Sequence, residues 1–134
     1  MRLNKDRLYF LGKDPHWAFV WWEIVPQTLE KARASLGGEA GRARFVLRVH
    51  DVTDIVFNGE NAHSTYVIEV TGETDHWYLH IPVANRNYCV EAGLEVDGRF
   101  SRILLSNILS LPPDRPSDLA QEEWSTIEIG VRGK

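Results

Sequence analysis

The segment "RARFVLRVHDV", residues 42–52, alternates apolar and polar side chains at a period of two, with Phe45, Leu47 and Val49 on one face and Arg44, Arg48 and His50 on the other. A helix repeats every 3.6 residues and cannot keep that pattern on one side, whereas a strand with one buried and one wet face does so naturally. The same alternation returns in "TYVIEV", with Tyr66, Ile68 and Val70 together. It returns again in "HWYLHIP", with Trp77, Leu79 and Ile81 opposed to His76, Tyr78 and His80, and in "NYCVEAG", with Tyr88, Val90 and Ala92 opposed to Cys89 and Glu91. Turn residues separate these runs, and Asp97-Gly98 is a two-residue hairpin signal, because both central positions of a type I′ turn need positive φ. The chain is therefore expected to be mainly β, an antiparallel sandwich. A strand ending in "LHIP", a polar corner and then Tyr88 opening the next strand is the pattern of an immunoglobulin-like E–F corner. In that corner a tyrosine hydroxyl bonds back to corner backbone, here expected between Ile81 and Asn85.

One helix interrupts the strands. In "VPQTLEKARASLGG", Pro26 suits a first turn, Leu29, Ala32 and Leu36 share a face, and Gly37 and Gly38 supply the stop. The strand before it, "HWAFVWWEI", is apolar on both faces: Ala18, Val20 and Trp22 on one, Trp17, Phe19 and Trp21 on the other. Such a strand needs cover on both sides. The expectation is that Trp17 and Trp22 are buried on opposite sides, under the helix and a C-terminal segment bearing Trp124, and that Trp21 keeps an exposed ring edge beside Arg48 and His50. Residues 1–111 form the sandwich in this reading. The proline-rich "LPPDRPSD" then leads into an extension, residues 112–134, packing on the same domain, with a short helix at "LAQEEW" and a last strand at "STIEIGV".

Charge narrows the function classes. Across 134 residues, 15 Lys and Arg face 19 Asp and Glu, a net charge of −4, which argues against a surface that follows nucleic-acid phosphates by bulk charge. The longest apolar run, Trp17 to Trp22, falls far short of the ~20 residues of a spanning helix. There is no apolar stretch of signal-peptide length near the start, and the single cysteine, Cys89, cannot form an internal disulfide, so a cytoplasmic location is expected.

Catalytic and metal motifs are scarce. On a strand, His76 and His80 stand ~13 Å apart at ~3.3 Å per residue, too far to share one ion. The loop with Asp51, Asp54, Asn58, Glu60 and Asn61 offers oxygen ligands without the spacing of an EF-hand. Cys89 sits mid-strand, away from any helix N-terminus that would stabilise a thiolate. No nucleophile-elbow or phosphate-loop motif occurs, so no enzyme activity, metal or cofactor is expected.

The remaining surface is aromatic and polar. Trp21, Arg48, His50, Tyr78, His80 and Glu91 form the candidate ligand set, if their strands lie in one sheet. A flat ring flanked by Arg, His and carboxylate suits a sugar, the ring covering the CH face and the charges bonding to hydroxyls. The same groups suit a peptide or phosphate, and Arg48 with Glu91 also reads as a plain cross-strand ion pair. Two partner classes follow: a glycan, or a protein or phosphorylated segment bound by an adaptor.

Five segments, "DPHWAFVWWEI", "LRVHDVT", "WYLHIP", "RNYCVEAG" and "DGRFSRILLSN", also stand in the order and spacing of a bacterial family, domain-of-unknown-function family 4912. The chain resembles that family from about Leu8 to Pro113. Members usually carry Tyr where this chain has Trp21 and His50. The resemblance implies an immunoglobulin-like module with a recognition role. Some members follow a Rho-N-like domain and others accompany α-glucan-branching enzymes, which implies an α-glucan for the first partner class and a regulatory assembly for the second.

Overall fold

A computed structural model describes residues 5–114. Its elements in chain order are β1 (Arg7–Asp14), β2 (Trp17–Glu23), α1 (Pro26–Ser35), a 3-10 turn (Gly37–Arg42), β3 (Arg44–Asp51), β4 (Ser64–Glu69), β5 (His76–His80), β6 (Asn87–Val96), β7 (Arg99–Leu105) and β8 (Leu109–Ser110). Two antiparallel sheets result. The smaller has the order β1-β2-β5, and the larger β4-β3-β6-β7, with β8 pairing the start of β6. The extension expected at 112–134 lies outside the described residues beyond Asp114.

The inward faces follow the alternation. Phe10, Val20 and Leu79 from the small sheet meet Leu47, Val49 and Val90 from the large one, all fully buried, with Trp22, Tyr88 and Ile81 in the same cluster. The hairpin at Asp97-Gly98 has φ of 51° and 82°, as a type I′ turn requires. The Tyr88 hydroxyl donates to the Val83 carbonyl at 2.6 Å while its ring is buried. A sandwich of a three-stranded and a five-stranded sheet with a tyrosine at the β5–β6 corner is immunoglobulin-like. Among the described residues no helix is long and apolar enough to cross a membrane.

Helix α1 begins at Pro26 and ends before Gly37, whose φ of 63° is the left-handed conformation that stops a helix. Val25, at the N-cap, contributes no side-chain cap. The Asp6 carboxylate substitutes for one, accepting from the Val25 N–H at 2.7 Å and the Thr28 hydroxyl at 2.6 Å. The apolar stripe is the one expected, but its target is not. Ala32 and Leu36 pack on Leu94 and Val96, with Leu29, Phe45 and Ile103 at the margin, so the helix plugs the open end of the sandwich. It does not cover Trp17, which is 43% exposed. The expectation of a buried Trp17 is corrected by this packing: the odd-numbered face of β2 points away from the core, and the helix finds its apolar complement on β6 and β7.

Both edges of the small sheet are blunted. At β1, the Asn107 side chain accepts from the Phe10 N–H at 3.0 Å and donates to the Phe10 carbonyl at 2.9 Å, replacing a neighbouring strand. At β5, the Thr74 hydroxyl engages both the N–H and the carbonyl of His76, and the Tyr66 hydroxyl donates to the His80 carbonyl at 3.1 Å. These bonds occupy part of each edge and shorten the template it offers to an added strand.

Candidate binding face

The outer face of the small sheet is a lattice of rings. In register across β1, β2 and β5, Tyr9, Trp21 and His76 form one row, Leu11, Phe19 and Tyr78 the next, and Trp17 and His80 the third. Four residues of β2 separate Trp17 from Trp21, so the face runs ~13 Å along the strand. The rings support one another. Phe19 lies 5.1 Å from Tyr78 and 5.7 Å from His76, and Trp17 meets the edge of His80 at 5.0 Å. These spacings are those of favourable aromatic pairs.

Exposure is uneven within the lattice. Tyr78 is 58% exposed and Trp17 43%, whereas Trp21 and Phe19 are half-buried. Trp21 is clamped on Tyr9, the two rings 5.4 Å apart and only 9° from parallel. Asp75 sits at this corner, its carboxyl held below its ordinary value first by the hydrogen bond with His76 and then also by the Trp21 indole. Trp17 and Tyr78 are therefore the freer platforms, and Trp17 is the residue that the sequence reading missed. Its exposure depends on which strand face the helix covers, and no local signal carries that.

The six expected ligand residues do not form one surface. Trp21, Tyr78 and His80 lie on the small sheet's outer face, while Arg48, His50 and Glu91 lie on the large sheet's, across the core, because β2 and β3 belong to different sheets. The second trio is engaged internally. His50 is 2% exposed, with Nε2 2.7 Å from Glu91 Oε1, Nδ1 2.7 Å from the Thr65 hydroxyl, and its ring 4.7 Å from Phe57. Glu91 also meets Arg102 at 3.3 Å and, as the cross-strand pair expected, Arg48 at 4.0 Å. Arg48 in turn lies 4.6 Å over the Phe100 ring. That ring rests on Gly93, where a Cβ would collide with it and with the Ser101 carbonyl. Burial works to raise the Glu91 carboxyl, but the His50 hydrogen bond and the charges of His50, Arg48 and Arg102 outweigh it and hold the group below its ordinary value.

Cys89 is buried and its thiol is pushed up to about 11 by burial, assisted by the charge of Glu91. Asp51, at the end of β3, is tied to Arg86 and to the Thr53 N–H and hydroxyl. Among the described residues no group of three or more His, Cys, Asp or Glu is placed to hold a metal ion. Grooves do occur elsewhere. One, about 420 Å³, runs between α1 and the β4–β5 loop, lined by Trp22, Ile24, Leu29, Phe45, Arg33 and Glu73 among others.

A family model described as "Domain of unknown function (DUF4912)" matches residues 3–122. No curated protein matches the chain at a significant level. Among solved structures, the fn3 domain of human collagen alpha-1(XX) chain, a solution structure, is similar at 18% identity, covering 87% of each chain with a TM-score of 0.49.

Proposed function

We propose that this chain, which belongs to the DUF4912 family, is a non-catalytic intracellular binding module that takes a glycan on the outer face of its small sheet. One observation carries this reading. Trp17 and Tyr78 are large rings left open on a flat, nearly uncharged lattice whose borders supply His76, His80 and the Tyr78 hydroxyl. An open indole or phenol covers the CH face of a pyranose, and neighbouring imidazoles and hydroxyls bond its ring hydroxyls. Because the lattice extends ~13 Å, it suits an oligosaccharide better than a single sugar. α-Glucans are the first class to try, on the family resemblance stated above.

The adaptor reading has less to stand on. Arg48 and Arg102, which would grip a phosphate, are already paired with Glu91. Titration calorimetry of the full chain with maltoheptaose and glycogen, against cellulose and chitin oligosaccharides, tests the proposal. Binding is expected to fall at least tenfold in Trp17→Ala and Tyr78→Ala with melting temperature nearly unchanged. Tenfold corresponds to ~1.4 kcal/mol. Absence of binding to every glycan, or binding indifferent to both substitutions, would sink it, and capture on a peptide array would put the adaptor in its place.

A further inference from the structure

We infer that β4 is a docking edge for a second copy of this chain, the two β4 strands pairing antiparallel about Val67 so that the large sheets join. The ladder shows which groups are free. The Val70 N–H donates to the Phe45 carbonyl at 3.0 Å, and on the other side of β3 the Val52 N–H donates to the Asn87 carbonyl at 2.8 Å. Bonded pairs alternate along an antiparallel ladder. In the register of β3 on β4, Leu47–Ile68 and Val49–Tyr66 are therefore the bonded pairs, and the N–H and carbonyl groups of Thr65, Val67 and Glu69 point away from β3. Since β4 ends the large sheet, no strand among the described residues takes up these outward groups.

The edges of the small sheet are guarded where this one is not. The register of β1 shifts between Gly12 and Asp14, around Lys13, and Asn107 takes up both backbone groups of Phe10. At β5 the Thr74 and Tyr66 side chains bond His76 and His80. By contrast β4, "STYVIE", has no lysine or proline, its register on β3 runs unbroken, and Val67 is 46% exposed. An edge of that kind is a template for another strand. The sequence of β4 also complements itself. Setting Val67 opposite Val67 of a second copy keeps every side chain on its own face, puts Tyr66 opposite Ile68 and Thr65 opposite Glu69, and brings no charge against a like charge. The three outward-facing pairs then exchange about six hydrogen bonds. A two-fold pairing uses the same edge on both copies and stops at a dimer. One strand edge buries an area at the low end of specific interfaces, so the dimer forms and dissociates with concentration.

This pairing does not rest on the glycan reading, because the aromatic face belongs to the other sheet. Sedimentation velocity of the full chain, from about 1 µM to about 1 mM, should show a reversible monomer–dimer equilibrium. Val67→Pro removes the outward N–H without touching the bonds to β3, a position at which an edge strand tolerates proline. Val67→Lys keeps that N–H and sets like charges face to face across the two-fold, so a second variant stands where the first fails to fold. Each should raise the Kd at least tenfold. Hydrogen exchange tests the register: the Val67 amide should gain protection as protein concentration rises, while that of Ile68, already bonded to β3, changes less. A chain that stays monomeric throughout, a dimer indifferent to both substitutions, or growth past the dimer would overturn the inference. So would Val67 protection that does not depend on concentration, the sign that another part of the same chain covers the edge.

Discussion

The outer faces of the two sheets invert the usual rule. On the large sheet, polar residues lie outward and are nonetheless buried: His50, Glu91 and Cys89 sit beneath or beside Phe57, Phe100 and Arg102. On the small sheet, Tyr9, Trp17 and Tyr78 lie outward and stay open. The difference teaches that burial follows what is laid over a sheet, not the polarity of what projects from it. The large sheet's outer residues satisfy one another through ion pairs and hydrogen bonds, so covering them leaves no unpaired charge. The small sheet's outer rings need no partner to be tolerated, and a contiguous aromatic patch on a domain marks a contact surface.

The sharpest way to break this contrast is within β2 itself. Trp22, 5% exposed, should lose ~3–5 kcal/mol of stability on truncation to Ala, measured by denaturant unfolding. A smaller loss would mean that the inward face is less closely packed than its burial implies.

Next is Glu91→Gln, expected to cost ~1–3 kcal/mol, because His50, Arg48 and Arg102 lose the charge that joins them. The pH dependence sharpens it. Glu91 has a folded value below its unfolded one, so its contribution is fully present above the ordinary carboxylate range and is lost as pH falls through the folded value. Wild-type stability should therefore drop on acidification below about pH 4.5, and the variant's curve should be shallower there. It should not be flat, since Asp51 is also held low: burial opposes this, but Arg86 and Thr53 prevail. Identical acid slopes in the two proteins would show that the cluster contributes no proton linkage.

Gly93→Ala adds one methyl group against Phe100 and the Ser101 carbonyl, and should destabilise by ~1–3 kcal/mol, read from the shift in melting temperature. A neutral result would mean that the Phe100 cover lifts easily. The smallest effect belongs to the open face: Trp17→Ala and Tyr78→Ala should each change stability by no more than ~0.5 kcal/mol. A Trp17 loss approaching that of Trp22 would show that this ring is packed as core and is not an open platform.

Period-two alternation in "RARFVLRVHDV", "WYLHIP" and "NYCVEAG" was enough to assign strands and their inward faces, since a strand's two sides are a local property of the backbone. The Tyr88 corner, the Asp97-Gly98 turn and the Pro26-to-Gly37 helix were legible for the same reason: each depends on φ preferences and hydrogen bonds within a few residues. What the residues did not determine alone was where each outer face would go. "HWAFVWWEI" is apolar on both sides, and only the packing of the two sheets around Trp22 and the docking of α1 elsewhere, on Leu94 and Val96, decided that Trp17 stays open while Trp22 is enclosed. The assignment of β2 and β3 to different sheets likewise separated Trp21 from Arg48 and His50, although the spacing along the chain allowed them to meet. Strand pairing and the choice of cover are long-range events, settled by which apolar surfaces complement one another once the chain has collapsed, and a sequence window carries no record of that competition.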